Sequence, residues 1–357
     1  MLIDASVHPS VRKGDDLREY MELPWKKRVF SPVHRYAYSS PRGEYYEPAR
    51  PADGLPGSDV ALTEETLFAQ GGVDHAILVP LTRGINMDSA VSSAVCAATN
   101  RWLADTWLGT ANAHGRFKGT IRVNPRDPEQ AVEEIARWAD HPHMVQVGVP
   151  MAALAPYGEP SYFPIWQAAA QAGLPVVVHL DGGSGIGYPS SPVGDFRLHI
   201  EYSTFGAYTF AYHLASLIMH GVFDRLDDLV FVFGDGGIDL VMPMVWRLIA
   251  DWRAGTDDHP WTRQSPPTYL RGHVRFVSSR MEGPSQAAQR ARWLELVDAR
   301  HLLLYGSAYP LWTYAPPAAL ELEDDALAAH VLGGNAAALY RGLAEDRTHT
   351  IEEGTAA

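Results

Sequence analysis

The sequence predicts an α/β chain built as one (β/α)8 barrel, a TIM barrel with a long insertion after its first strand, and three observations predict it. Short apolar runs occur at residues 2–3, 76–81, 119–123, 144–149, 175–180, 229–233, 274–277 and 302–305. Their apolar character is continuous rather than alternating, as in parallel strands buried on both faces. A helical pattern follows each run, and the 357 residues exceed the ~250 that such a barrel usually takes. An open doubly wound sheet is the lesser alternative for the same alternation.

The elements can be justified in order. Residues 9–59 follow the first strand, are rich in Pro, Tyr, Arg and Glu, and have no periodicity of their own. A loop of that length cannot pack alone, so it reads as a lid or a dimer contact. Val91, Val95, Ala98 and Trp102 form an apolar stripe at helical spacing. Asp127 and Pro128, with Gln130 behind them, give an N-cap, a first-turn proline and a capping-box partner for the helix carrying Val132, Ile135 and Ala136. A further helix runs from Tyr162 through Ala170 and stops at Gly173. Residues 1–345 make one domain, and 346–357 read as a disordered tail.

Composition removes several classes of function. The net charge is −13 and the longest basic run is the short Lys26-Lys27-Arg28, so the basic footprint of a nucleic-acid binder is missing. No uncharged apolar stretch reaches the ~18 residues of a membrane span, and the first residues lack the pattern of a secretory signal. The only cysteine, Cys96, falls in a helical pattern and reads as a buried thiol. A cytoplasmic chain with a small-molecule substrate is expected, with neither nucleic acid nor membrane as partner.

In a barrel, chemistry gathers at the carboxyl ends of the strands, so the polar residues just after each apolar run are the candidates. They are Ser6 and His8 after the first run, His179 and Asp181 after the fifth, Asp235 after the sixth, Arg280 and Glu282 after the seventh, and Ser307 and Tyr309 after the eighth. His8, His179 and Asp235 are the expected catalytic groups, running acid–base chemistry or holding a metal. Ser6, Arg280, Tyr309 and Trp312 are the expected substrate contacts, Arg280 for a carboxylate or enolate and the aromatics for stacking. His141 and His143 precede the fourth strand, on the opposite end, and His220 sits in a helix leading into the sixth; all three read as peripheral. The glycines at 182, 183, 185 and 187 lack phosphate-loop spacing and read as a loop that lets backbone approach a ligand.

Five segments resemble a known family: DASVHP at 4–9, PVVVHLDGGSG at 175–185, LASLIMHGVFDRLDDLVFVFGDGG at 214–237, LLLYGSAYPLW at 302–312 and GGNAAALYRG at 333–342. Together, in this order, they are similar to the amidohydrolase-related family that includes aminocarboxymuconate semialdehyde decarboxylase and the resorcylate decarboxylases. The resemblance implies an amidohydrolase-type barrel, a homodimer and a metal at the barrel mouth. It also exposes departures. Members typically carry His or Asp two residues before the second histidine of the first strand, where this chain has Ser6 before His8. The fifth-strand histidine is kept as His179, and the acid of E-G-G is shortened to Asp235. The S-D-Y-P-H of the eighth strand becomes Ser307-Ala308-Tyr309-Pro310-Leu311, without the metal-binding aspartate or the histidine three residues on.

With the ligand set so reduced, no cofactor is expected; if the remnant holds zinc or manganese, the ligands are His8, His179 and Asp235. The expected function is a metal-independent lyase, a decarboxylase, or a cyclase or isomerase, acting on a small organic acid or secondary metabolite through histidine acid–base catalysis. Asp235 is expected to hold a ring tautomer. A metal-dependent decarboxylase or hydrolase is the runner-up, and an inert ligand-binding barrel is the alternative from another class.

Overall fold

A computed structural model of the chain describes residues 1–13, 15–27, 45–81, 88–179 and 198–343. Most of the Tyr-rich stretch at 36–46, the glycine loop at 182–187 and the tail from 346 lie outside the described residues. Eight parallel strands in the order β1 to β8 form the sheet: β1 (Ile3–Val7), β2 (His75–Leu78), β3 (Phe117–Arg122), β4 (Met144–Pro150), β5 (Val176–His179), β6 (Phe231–Phe233), β7 (Val274–Val277) and β8 (Leu303–Leu304). Each overlaps a predicted apolar run, although β1 shares only Ile3 with the run at 2–3 and continues to Val7. The sheet closes on itself, because Ala5 N donates to Tyr305 O at 2.8 Å and His8 N to Tyr309 O at 2.7 Å. No helix among the described residues is long and apolar enough to cross a membrane.

The helices wrap the barrel in chain order: α1 (Val60–Glu64), α2 (Ser89–Thr106), α3 (Pro128–Trp138), α4 (Phe163–Gln171), α5 (His199–Phe205), α6 (Tyr208–Met219), α7 (Val222–Arg225), α8 (Ile238–Ala254), α9 (Pro266–His273), α10 (Ala287–Leu296), α11 (Ala299–Leu302), α12 (Asp325–Ala329) and α13 (Asn335–Leu339). The predicted stripe of α2 is buried at Val95, Ala98 and Trp102, and Cys96 beside it is buried too. The cap of α3 forms as read, with Asp127 Oδ1 accepting from Gln130 N at 3.3 Å. The reciprocal half does not, because the Gln130 amide donates forward to Glu133 instead. Within the segment after β1, the short 3-10 turn Asp16–Tyr20 is pinned to the flank of α2, where the Tyr20 hydroxyl donates to Asp105 and Arg101 donates to Tyr20 O.

Two apolar layers hold these elements. The larger lies between strands and helices, where Trp107, Trp166, Phe210, Phe223 and Phe231 lose essentially all their surface. The smaller gathers Ile3, Ile77, Val177, Val232, Val277 and Leu304 from around the sheet with Ala336, Ala337, Tyr340 and Leu343. Side chains from so many strands meet only along the barrel axis, so the segment after α12 plugs the amino-terminal end. Inside, Tyr340 donates to Gln146, which donates to Thr120. With that end sealed, ligands can reach the axis only from the carboxyl ends of the strands.

One buried histidine ties the loop after β4 to α6. His213 Nδ1 accepts from Tyr157 N at 3.1 Å, Nε2 donates to Met151 O at 2.8 Å, and the ring stacks on Tyr157 at 4.2 Å between centroids. Burial pushes its pKa down to about 4 from the ordinary 6.5, so the folded state binds this proton more weakly than the unfolded chain. Its contribution to stability is therefore complete above pH 6.5 and is lost as pH falls towards 4. A shift of that size corresponds to roughly 3 kcal/mol. Denaturant titrations of the wild type and His213→Gln at pH 7.5 and pH 5 should show a smaller loss on acidification in the variant; equal losses would remove His213 from the account.

Candidate active site

Ser6 and His8 are two residues apart at the end of β1, so their side chains lie on one side of the strand. His179 ends β5, across the barrel mouth. Ser6 Oγ lies 3.1 Å from His8 Nε2 and 3.3 Å from His179 Nε2, and the two rings meet edge to face at 4.6 Å between centroids. All three residues are at most 2% exposed. His8 Nδ1 donates to the Val79 carbonyl at 2.9 Å. The ring of His179 fits because residue 234, just after β6, is glycine: a Cβ there would stand 2.4 Å from His179 Cδ2.

Burial is the main reason that the pKa of His8 is pushed down to about 3, and the neighbouring His179 lowers it further. Arg122 adds a smaller effect of the same sign, while the Val79 hydrogen bond and the charge of Asp235 act against it. His8 is therefore a neutral imidazole at neutral pH. Asp235, after β6, is also buried; desolvation raises its pKa and the Arg280 guanidinium, 3.4 Å away, opposes the rise. Arg280 itself has φ +57, a left-handed conformation that costs a non-glycine residue of order 1 kcal/mol or more. The turn after β6 runs close beneath it, since a Cβ on Gly236 would lie 2.9 Å from Arg280 O.

Asp235 and Arg280 line a cavity of about 600 Å3, whereas Ser6, His8 and His179 are not among its lining residues. Asp235, Arg280 and Glu282 supply charge, while Met151, Phe210 and Trp312 supply apolar and aromatic surface. Of the residues expected from the sequence, Ser6, His8 and His179 form one hydrogen-bonded group, and Asp235, Arg280 and Trp312 stand on the cavity wall. Tyr309 is elsewhere. It is 1% exposed, packs edge to face against Tyr314, and turns its hydroxyl towards Thr63 and Thr66, so it serves packing rather than the cavity. The tautomer role expected of Asp235 falls, at His8, to the Val79 carbonyl and Ser6.

Two residues beside this group escaped the sequence screen: Arg122 lies inside an apolar run, and Asp4 follows a run of only two residues, in a strand that continues past it. Arg122 ends β3 almost fully buried and close enough to His8 to affect its protonation. Asp4, within β1, accepts at Oδ1 from Ser6 N and Ser307 N, and burial raises its pKa to about 6. A charged residue interrupting a strand otherwise apolar was the available signal for both.

A catalytic zinc or manganese ion generally takes about three protein ligands. The two Nε2 atoms do converge, but on the hydroxyl of Ser6. Asp235 is turned to Arg280, and Ala308, at the position after Ser307, carries no donor. Among the described residues no group of three or more His, Cys, Asp or Glu is placed to hold an ion. The donor set among the described residues does not fit a three-ligand catalytic metal.

Comparison with solved structures gives the same barrel. 5-Carboxyvanillate decarboxylase from Sphingomonas paucimobilis superposes with a TM-score of 0.64 at 20% identity, covering 95% of this chain and 98% of that one. 2,6-Dihydroxybenzoate decarboxylase from Rhizobium gives 0.66 at 18% identity, with 95% and 98% covered. The dihydroxybenzoic acid decarboxylase from Polaromonas sp. JS666, solved with bound manganese and 2-nitroresorcinol, gives 0.66 at 16% identity, with 98% and 99% covered. At these identities the likeness is one of fold. No curated protein sequence matches the chain. The amidohydrolase family model matches residues 3–342, nearly the whole barrel, and the chain belongs to the amidohydrolase family.

Proposed function

We propose that this chain is a lyase that removes CO2 from a small organic acid, with its histidine pair moving the proton and without a divalent metal. The observation that carries the reading is the buried His8–Ser6–His179 group at the barrel mouth, close to Asp235, which with Arg280 lines the neighbouring cavity. The decarboxylases among the structural neighbours act, by their descriptions, on 5-carboxyvanillate and dihydroxybenzoates, so a phenolic acid is the substrate class to try first.

The chemistry requires an anchor, a proton and exclusion of water. Arg280 faces the cavity and can receive the substrate carboxylate by charge-assisted hydrogen bonds while Asp235 steadies its guanidinium. With His8 held neutral, the donor is His179, which takes up a second proton from solvent and, as an imidazolium, passes one to the carbon bearing the carboxylate. The C–C bond then breaks, its electron pair stays with that carbon, CO2 leaves, and solvent restores the proton to the imidazole. The near-complete burial of both rings keeps competing water away.

Three measurements test this reading. His179→Gln, which keeps much of the ring's bulk, should lower CO2 release from a panel of phenolic acids by at least about 100-fold while the melting transition stays near that of the wild type. An undiminished rate would end the proposal. Gly234→Ala should drive a methyl into His179 and lower both stability, by about 1–3 kcal/mol, and turnover; a variant unchanged in both would mean that the ring is not wedged there. Elemental analysis of protein produced with zinc and manganese available should find far less than one equivalent. Near-stoichiometric metal, removed together with activity by a chelator, would instead support a metal-dependent decarboxylase with His8, His179 and Asp235 as ligands.

A further inference from the structure

The hydrogen bonds around Ser6 take their directions from the Val79 end. A carbonyl oxygen can only accept, so His8 must carry its proton on Nδ1, facing Val79 O at 2.9 Å. His8 is 2% exposed, and its hydrogen-bond partners are that carbonyl and the Ser6 hydroxyl, with no carboxylate among the described residues bonded to it. A second proton on such a ring would be a buried charge without a bonded counter-ion, so the ring is neutral and Nε2 is an acceptor. Ser6 Oγ, 3.1 Å away, must donate its single proton to that nitrogen. Its lone pairs then face His179 Nε2 at 3.3 Å, which must be the donor.

We propose that Ser6 is a positioning residue that bridges the two imidazoles by hydrogen bonding, in place of an ion joining them by coordination, and that it sets them in opposite tautomers. His8 carries Nδ1–H and His179 carries Nε2–H, leaving His179 Nδ1 as the acceptor of the pair. Separations of 3.1 and 3.3 Å are those of hydrogen bonds, whereas a zinc–imidazole bond is about 2.0–2.1 Å. The hydroxyl therefore stands where both Nε2 atoms point. Manganese is described in some structural neighbours, whereas here a serine hydroxyl stands between the two imidazoles. The proposal rests on the functional reading only for the catalytic role given to the rings.

The test is nitrogen-15 NMR of histidine-labelled wild-type protein and Ser6→Ala, with assignments from His8→Gln and His179→Gln. In the wild type, His8 should show a protonated Nδ1 and His179 a protonated Nε2. In Ser6→Ala, His8 should keep its tautomer, because Val79 still holds it, while His179 should change towards Nδ1–H or a mixture. The same tautomer for both rings in the wild type, or an unaltered His179 in Ser6→Ala, would overturn the proposal. Zinc chloride added to the wild type should leave both Nε2 signals in place, whereas Ser6→Asp, which supplies a carboxylate there, should bind zinc at least about 100-fold more tightly. Tight zinc binding by the wild type that shifts both Nε2 signals would also overturn it. If the tautomers follow the expected pattern while His179→Gln retains full turnover, the functional reading fails and the Ser6 bridge stands.

Discussion

Asp4 sits without exposed surface at the seam where the first and last strands meet, and the arrangement of the barrel mouth follows from its position. Its Oδ1 accepts from Ser6 N on one strand and Ser307 N on the other, beside the backbone bonds from Ala5 to Tyr305 and from His8 to Tyr309. A barrel exists only if its first and last strands pair, and in this chain β8 is two residues long. A carboxylate fixed between them supplements a short ladder. It also fixes the backbone of Ser6, two residues from His8, and so the direction from which both side chains enter the site.

The rest of the site is assembled from small spaces left around that seam. Gly234 leaves room for the His179 ring, and the positive-φ glycines at 236 and 237 let the turn after β6 pass close under Arg280. Arg280 and Ala308 both adopt left-handed conformations without being glycine, at φ +57 and +58. Strain at residues after β7 and β8 falls at the end of the barrel that carries the cavity, where surrounding structure can hold it. Burial then governs the electrostatics. It makes His8 a weak base and Asp235 a weaker acid than in water, so both groups are held nearer to neutral forms than exposed ones would be.

Family membership and a depleted ligand set coexist in one chain. The fold is retained over nearly its whole length, while Ser6 and Ala308 stand at positions where the resemblance implied metal-binding groups. A hydroxyl between two imidazoles satisfies both rings without a third charged ligand, which gives a physical reason why the histidines can persist in a buried mouth.

The sequence by itself determined the barrel, its strands and the neighbourhood of the site. Apolar runs of strand length alternating with helical patterns leave few ways to bury so much surface, and polar residues at the ends of those runs can gather only at one end of the barrel. The meeting of Ser6, His8 and His179, and that of Asp235 with Arg280, is what such a gathering leads one to expect. Tyr309 was misread, because position after a strand does not say which way a ring turns, and here packing against Tyr314 decided it. Arg122 was missed because a screen for residues after apolar runs cannot see a charge within one, and Asp4 because the run at 2–3 is too short to show that the strand continues to Val7. Only the tertiary structure decided that Ser6 touches both rings, that Val79 rather than Asp235 orients His8, and that Asp235 is turned to Arg280. Those contacts join residues that are distant in the chain, and their partners are fixed by closure of the barrel rather than by any local pattern.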